Sequence, residues 1–404
     1  MIRKIAIIIL IILIPTFAAQ KDDSFNEFQN EINKLINLAT IYNPEILKYD
    51  QMLKENYYLS QSIIYEKEKM ISIGTSIDTN NFLPNKKEPM SGLSIMYSLK
   101  KPNNLQESFR TEIINQKIIE TQKLQTLNNI AKSIKTNLLN IITNKQLIKK
   151  LEEIERLYKE ILELAKNDYK YSKSKLSQIY SIISEIYNIQ TEKVKLNQEI
   201  INNKIEIYNL IGIPTQIEIN TENLEINQNI EQKIFNNPEL KIKNLQIEKT
   251  KLEIEKEKKK SENQFSIEYM FRPQLPSMIY LRYSLILPNK NQQQLLINSI
   301  NWKLENLKTE YQQNYKELYY QHLQILKQIE YTKIELNITQ ENIKNVLKQI
   351  EQLKVEYQYN KTELNEIIEA IKDLKNLQIN ELKYYQSINL KLIELKYLNG
   401  QIFE

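Results

Sequence analysis

Apolar residues recur along most of this chain every three or four positions, which is the spacing of one face of an α-helix. Two segments, 104–167 and 289–356, keep this spacing without a single glycine or proline. At 1.5 Å per residue, each would extend about 95 to 100 Å as a helix. Two short helices placed end to end match one long helix, so the pattern predicts long helices packed as in a coiled coil. The shorter helical segments that flank the long ones are predicted over 44–69, 176–211, 238–260 and 364–398.

Four other segments alternate apolar and polar residues one by one, which is the period of a β-strand. The alternation predicts strands over 70–78, 92–101, 264–272 and 278–288. Tyrosine and phenylalanine belong to the apolar set, as in strands that face lipid on one side and water on the other. A soluble amphipathic hairpin explains any single one of these segments better, so their environment has to be inferred from other features.

The N-terminus supplies one such feature. Two basic residues, Arg3 and Lys4, precede an apolar run over 5–14, and small residues follow at 18–19. This pattern predicts a secretory signal peptide over residues 1–19. An uncleaved anchor would need about 20 apolar residues, roughly twice this run. Since no other segment approaches a transmembrane helix, a mature protein embedded in a membrane would have to be a β-barrel.

Four strands are too few for such a barrel. About eight are needed to enclose an interior, and every strand edge in lipid must be paired. The chain is therefore predicted to oligomerise. A trimer would supply twelve strands, an even number within the range of bacterial barrels.

The sequence also repeats itself. Residues 43–46, Asn-Pro-Glu-Ile, match residues 237–240, Asn-Pro-Glu-Leu, and each set suits a helix start. Residues 169–179 align without a gap to residues 357–367, sharing Tyr-x-Tyr, a lysine and Leu-x-x-Ile. We therefore predict an internal duplication, with a first repeat over 20–214, a linker over 215–230 and a second repeat over 231–404.

Composition narrows the function. The 404 residues include only 4 glycines and no cysteine, and the formal charge of +5 is distributed along the chain without a basic tract. This pattern gives no footprint for nucleic acid. The single histidine, His322, is expected at a surface or a helix seam, and it lacks the partners that metal or nucleophilic chemistry requires. We predict that the chain is not an enzyme and uses no cofactor or metal.

The order of these features resembles the TolC family of outer-membrane efflux proteins over nearly the whole mature chain. The resemblance rests on the Asn-Pro-Glu openings, the paired strands, the Tyr-containing turns and the Ile-Gly-Ile-Pro ending of the first half at 211–214. It implies a mainly α protein with a transmembrane β-barrel, in which three subunits build a twelve-stranded barrel on a long coiled-coil tunnel. It further implies a passive exit duct in the outer membrane with a periplasmic extension. In this role the duct serves tripartite efflux or type I secretion with a periplasmic adaptor and an inner-membrane transporter.

Three departures from the family pattern stand out. The family's glycine in each tip turn is replaced by Ser172 and Asn360, of which asparagine tolerates left-handed backbone angles better. The N-terminal lipidated cysteine of many relatives is missing. The helices are rich in Ile, Leu and Tyr, where the family uses Ala, so helix packing is expected to be looser.

The resemblance also directs attention to the turns. Glu366 and Glu369, three residues apart on one helix face, correspond to Gln178 and Ser181 in the first repeat. In a trimer they would form two acidic rings at the aperture and favour cations, as acids at the matching positions of family members imply. A solvated helix face is the alternative. Further candidates for adaptor contact and gating, with packing at a helix turn as their alternative role, are Tyr169, Tyr171, Lys173, Leu176, Tyr357, Tyr359, Lys361, Thr362 and Leu364.

Two other functions remain open at this stage. A secreted coiled-coil structural or adhesion protein without a pore would explain the helices, with the strands as soluble hairpins. A periplasmic adaptor is also built on helical hairpins, but its Gly-rich modules do not fit a chain with 4 glycines.

Overall fold

The computed structural model describes residues 30–65, 68–78, 90–102, 104–170, 175–213, 236–260, 262–272, 275–286, 289–359 and 361–400. The predicted signal peptide, 1–19, and the predicted linker, 215–230, lie outside these residues.

Helices make up most of the described chain, which confirms the mainly α-helical class predicted from the sequence. Their interiors contain helix-favouring Leu, Lys, Glu and Gln and lack glycine and proline, so backbone hydrogen bonding continues without a break. The helices are α1 over 30–42, α2 Pro44–Ile64, α3 Leu105–Lys170, α4 Leu176–Ile211, α5 Pro238–Lys258, α6 Lys290–Gln358 and α7 Leu364–Leu398.

The remaining elements form one antiparallel sheet of four strands in the order β1-β2-β3-β4. Between neighbouring strands the hydrogen-bonded register is regular except for an irregularity near the end of β3, between Met270 and Arg272. Within the described residues, β1 and β4 each pair on one side only. The strands are β1 Glu68–Asp78, β2 Met90–Pro102, β3 Glu262–Arg272 and β4 Leu275–Ile286.

One face of this sheet is apolar and exposed. The register places Ile95 beside Tyr269, and Tyr269 beside Ile279. The neighbouring rows contain Tyr97, Ile267 and Leu281, and then Phe265 and Tyr283. All eight side chains are exposed, whereas Ser266, which alternates with them on β3, is buried. On β3, alternation therefore exposes the apolar side chains and buries Ser266, the reverse of a water-soluble sheet, whereas on β4 Arg282 of the alternate face is exposed as well.

The chain divides into two compact units, each described by itself. Unit 1 comprises Met1–Leu47, Leu124–Asn237 and Lys316–Glu404, and unit 2 comprises Lys48–Lys123 and Pro238–Tyr315. Unit 2 contains the sheet and a small apolar cluster in which Ile247 and Ile254 of α5 pack with Ile297 and Leu304 of α6.

Unit 1 contains two larger apolar clusters. In the first, α1, α3 and the C-terminal part of α4 meet around residues such as Leu35, Ile134 and Ile207. In the second, α3, α4, α6 and α7 meet around residues such as Tyr158 and Ile371. Burying each Ile or Leu side chain contributes about 1.5–3 kcal/mol, so these clusters are the main source of the stability of unit 1.

Two asparagines tie helix ends together in unit 1, and we call them the asparagine clamps. Asn43 donates from Nδ2 to the carbonyl of Leu210 at 2.7 Å, and its Oδ1 accepts from the Glu45 N–H at 2.9 Å. Asn237 likewise donates from Nδ2 to the carbonyl of Leu398 at 2.9 Å. Each buried amide satisfies a carbonyl at a helix end that has no partner within its own helix.

Glycines allow this close approach. Gly212 follows α4 with φ +82°, and a Cβ there would lie 2.8 Å from the carbonyl oxygen of Tyr42. Gly400 follows α7 with φ +70°, and a Cβ there would lie 2.5 Å from the carbonyl oxygen of Asn236. Both the left-handed backbone and the short contact therefore require glycine.

Among the described residues, no helix has the length and apolar character needed to cross a membrane.

Candidate functional site at the paired turns

The candidate site lies in unit 1, where α3 is followed by α4 and α6 is followed by α7. We call the two connections and their flanking residues, 168–178 and 356–366, the paired turns. Residues 171–174 and 360 lie outside the described part of the chain, so the predictions for Tyr171 and Lys173 are not tested by the structure.

A hydrogen bond joins the two turns. The Tyr357 hydroxyl, on the last turn of α6, donates to Oδ2 of Asp168, near the end of α3, at 2.6 Å. Burial raises the pKa of the Tyr357 phenol above its usual range, and the bond to Asp168 raises it further. The phenol therefore remains protonated at physiological pH. A protonated phenol and a carboxylate form a charge-assisted hydrogen bond, which is among the stronger kinds in proteins.

A second polar contact lies at the start of the other two helices. Gln178 of α4 donates from Nε2 to Oδ1 of Asn365 of α7 at 3.3 Å, while its Oε1 accepts from the Lys175 backbone N–H at 2.9 Å. Gln178 thus completes the N-terminus of its own helix and contacts the neighbouring one. The contact with Asn365 does not follow from the repeat pattern, in which Gln178 is only the counterpart of Glu366.

The apolar residues of the two turns differ between the repeats. Leu364, which opens α7, is only 2% exposed and belongs to the second apolar cluster of unit 1. Its counterpart Leu176, which opens α4, is 46% exposed. The structure therefore gives Leu364 a packing role and leaves Leu176 available to a partner.

The remaining tip residues also separate by exposure. Tyr359 is 71% exposed and Tyr169 is 47% exposed. Lys361 is also exposed, and its backbone N–H donates to the carbonyl of Glu356 at 2.9 Å. Thr362 is half-buried, and its hydroxyl has no hydrogen-bond partner in the described chain. The exposed group therefore contains the candidates for contact with another protein.

Glu366 and Glu369 are both exposed on α7, next to the buried Ile367 and Ile368. Their face of the helix thus points away from the core of unit 1. Glu369 also lies near the hydroxyl of Tyr158, a fully buried side chain of α3. Burial raises the pKa of Tyr158, and the charges of Glu185 and Glu369 add to this effect.

A group of ion pairs around the buried Glu155 does not follow from the sequence pattern. Glu155 of α3 accepts from Lys159 and from Lys193 of α4, each at 2.7 Å. Hydrogen bonds from Lys159 and then Lys193 lower the pKa of Glu155 to about 2, although burial acts in the opposite direction. The pair Lys159 and Glu155 has helical spacing, but the contact with Lys193 depends on the packing of two helices.

Two further residues need comment. Asp168 was not selected in the sequence analysis, although its position directly before the repeated Tyr169 was a signal that could have found it. Of the two positions predicted for His322, a surface or a helix seam, the structure excludes the surface: its side chain is buried, with 1% exposure, and burial lowers its pKa. Among the described residues, no group of three or more His, Cys, Asp or Glu side chains could hold a metal ion.

No protein-family model matches the sequence. No curated protein matches it either.

Solved structures do match the fold. The outer-membrane protein VceC of Vibrio cholerae superposes with a TM-score of 0.76 at 11% identity, covering 94% of this chain and 98% of that chain. The MtrE outer-membrane channel of Neisseria gonorrhoeae, in its open state, superposes with a TM-score of 0.72 at 7% identity, covering 93% of this chain and 90% of that chain. The CmeC outer-membrane channel of Campylobacter jejuni superposes with a TM-score of 0.68 at 11% identity, covering 93% of this chain and 86% of that chain. The chain therefore has the fold of the TolC family of outer-membrane channels.

Proposed function

We propose that this protein is an outer-membrane channel, and more specifically the passive exit duct of a tripartite efflux or type I secretion system. In this proposal it acts as a homotrimer, and a periplasmic adaptor and an inner-membrane transporter supply the opening and the energy. The observation that carries the proposal is the exposed apolar face of the sheet. Eight aromatic and aliphatic side chains in register across three strands favour lipid over water as their surroundings.

The sheet also supports assembly. An open strand edge is a template for pairing with another chain, and in lipid it would leave backbone groups without partners. Pairing β4 of one subunit with β1 of the next would satisfy both edges. Three copies would then close a barrel of twelve strands.

The helices of unit 1 supply further surfaces for assembly. Tyr180, Tyr187, Val194 and Ile201 follow one another at intervals of seven on α4, and each is more than half exposed. A strict interval of seven is the spacing of a helix that packs against another helix as a coiled coil. Exposed apolar residues of α6 provide a second such surface, formed by Tyr320, Tyr331, Ile334 and Ile338.

The paired turns would act as the gate. In the resting state the Tyr357–Asp168 hydrogen bond holds the end of α6 to the end of α3. An adaptor that binds the exposed Tyr169, Tyr359 and Lys361 would pull on both turns and break this bond, so that the helices separate. Opening requires no chemical step, because the transporter supplies the energy.

Glu366 and Glu369 would line the aperture. Their exposure on α7 leaves them free to face the threefold axis of a trimer. Two rings of three carboxylates would lower the energy of cations in the pore relative to anions.

The experiment that tests the proposal is planar-bilayer conductance of the detergent-purified protein. The wild type is compared with a Glu366→Gln, Glu369→Gln double variant, and a Glu335→Gln, Glu351→Gln variant of α6 removes the same charge elsewhere as a control. We expect discrete cation-selective steps in the wild type and the control, and loss of selectivity in the double variant.

Two other outcomes would contradict parts of the proposal. If the double variant gives conductance steps that are still cation-selective, the channel function is supported and the role of the two glutamates as acidic rings is contradicted. A protein that dissolves without detergent and gives no steps would instead be a coiled-coil scaffold.

A further inference from the structure

The strand ends that connect to helices all lie on the same side of the sheet. We call this side, and not the unpaired strands β1 and β4, the edge. Glu68, the first residue of β1, pairs with Lys100 near the end of β2. Pro102, the last residue of β2, pairs with Glu262, the first of β3, and Glu262 pairs with Ile286, the last of β4. The start of α3, the end of α5 and the start of α6 lie within a few residues of this edge, and these three helix ends belong to unit 2.

This edge collects the positive charge of the chain. The described residues of segments 65–69, 99–110, 254–262 and 286–290 include eight lysines and one arginine against five glutamates, an excess of four in a chain whose total is +5. The fold thus brings together charges that lie far apart in the linear sequence. We call the exposed lysines of the helix ends at this edge the basic rim: Lys258, Lys259, Lys260 and Lys290.

Part of the basic rim is available for binding. Lys258 and Lys290 are exposed, and neither forms an ion pair with any other residue described in the structure. Lys259 pairs with the buried Glu107 at 2.5 Å and Lys260 pairs with Glu257 at 3.4 Å, yet both lysine side chains are more than half exposed.

The rim borders the apolar face of the sheet. Among the described side chains of that face, Phe265 and Tyr283 form the exposed row nearest the rim, and Phe265 pairs with Leu99, the residue before Lys100. Tyr65, at the end of α2, is 79% exposed close to the start of β1. An apolar band that meets exposed aromatic and lysine residues has the layout of a membrane boundary, where lysine stems lie along the lipid and the ammonium groups reach the headgroups.

The opposite edge of the sheet differs. There Asp78 pairs with Met90, and Arg272 pairs with Leu275, so one acid and one base are present among the described strand residues. With Lys86, Lys87 and Glu88 of the connection 79–89, the sequence at these strand ends carries a net charge of +1, against +4 for the segments at the rim.

We propose that the basic rim binds the phosphate headgroups of anionic phospholipids, in the leaflet that faces the helices. This inference rests on the proposed function, because it requires the sheet to lie in a membrane. A lysine near an anionic lipid surface contributes about 1 kcal/mol, which corresponds to about a fivefold change in affinity per lysine. Zwitterionic headgroups of similar size, with no net charge, are not attracted in this way.

The test uses the full-length protein in detergent micelles, with lipid retention counted by native mass spectrometry. Phosphatidylglycerol is compared with phosphatidylcholine of the same acyl chains. A Lys258→Gln, Lys260→Gln, Lys290→Gln variant removes three charges from the rim. A Lys195→Gln, Lys348→Gln, Lys372→Gln variant removes three exposed charges from unit 1 as the control.

We expect the wild type and the control to retain phosphatidylglycerol over phosphatidylcholine, with the preference falling as salt rises. The rim variant should lose most of that preference, while a Lys→Arg version at the same positions restores it. Equal retention of both lipids by the wild type, or an unchanged preference in the rim variant, would overturn the inference. Bilayer conductance of the same samples separates the two proposals, because a conducting channel without lipid preference would contradict only the basic rim.

Discussion

At the residue scale, the hydroxyl of Tyr357 is the smallest group on which the proposed gate depends. It lies where α6 ends, and its single acceptor, Asp168, belongs to a different helix 189 positions away in the sequence. Burial and the bond both raise the pKa of the phenol, so Tyr357 retains the proton that it donates in this bond.

Replacing Tyr357 with phenylalanine removes this bond and preserves the ring. We expect a loss of about 1.5–3 kcal/mol in the closed arrangement of the turns, since Asp168 loses its charge-assisted donor. In bilayers the variant should open more often than the wild type, as measured by single-channel open probability. Tyr359→Phe, at an exposed position of the same turn, is the control, and equal open probability in all three proteins would contradict a gating role.

Glu155 provides a residue whose contribution does depend on pH. Its folded pKa of about 2 lies below the ordinary value of 4.5, so the ionised form stabilises the folded state. That contribution is complete above about pH 4.5 and is lost as the pH falls from there toward about 2.

We therefore expect Glu155→Gln to lower stability at neutral pH and to flatten its decline between about pH 4.5 and 2. Thermal unfolding followed by circular dichroism across this range provides the measurement. Glu153→Gln, which affects a largely exposed pair with Lys150, is the control and should retain the wild-type slope. An equally steep decline in the Glu155 variant would show that other carboxylates dominate acid unfolding.

At the scale of elements, the asparagine clamps explain how helices can end and begin at the same level of unit 1. Sequence reasoning assigned Asn43 and Asn237 the role of helix caps. The structure adds that each side chain also reaches a carbonyl at the end of a different helix. That second role could not be predicted, because it depends on which helix end lies beside the cap.

Asn43→Ala should destabilise the protein by about 1–2 kcal/mol, since both the cap and the partner of the Leu210 carbonyl are lost. The change would appear as a lower midpoint in denaturant unfolding. Asn345→Ala, on an exposed face of α6, is the matched control and should be close to neutral because alanine favours a helix interior. Equal midpoints for both variants would argue against the clamp.

The sequence predicted elements better than it predicted the site. Periodicity is a local property, so the long helices and the alternation of β3 could be recognised from neighbouring residues. The exposure of Leu176 and the burial of Leu364 could not be predicted, since the two repeats have the same local pattern and only the surrounding helices differ. The contact of Gln178 with Asn365 and the burial of Glu155 depend on packing in the same way.

At the scale of the whole molecule, the proposed trimer depends on surfaces that one chain leaves exposed. The α4 residues at intervals of seven have no reason to be apolar unless another helix covers them. Charges placed there should therefore impair assembly and leave the fold of a single chain intact.

We expect a Tyr187→Glu, Val194→Glu variant to remain monomeric in detergent, with unchanged helix content by circular dichroism. Light scattering coupled to size-exclusion chromatography measures the mass. The control, Ser184→Glu with Asn188→Glu, adds the same charge to exposed polar positions of α4 and should assemble as the wild type does. A wild-type mass for the first variant would exclude this face as an interface.

The asparagine clamps also bear on how the polypeptide can be divided. Asn43 and Leu210 both precede the connection between Ile213 and Asn236, whereas Asn237 and Leu398 both follow it. A backbone break within that connection would leave each fragment with both members of its own clamp. Such a break severs no described helix, so we expect two co-expressed fragments divided within this connection to reassemble, which would make split-gene complementation a route for engineering the protein.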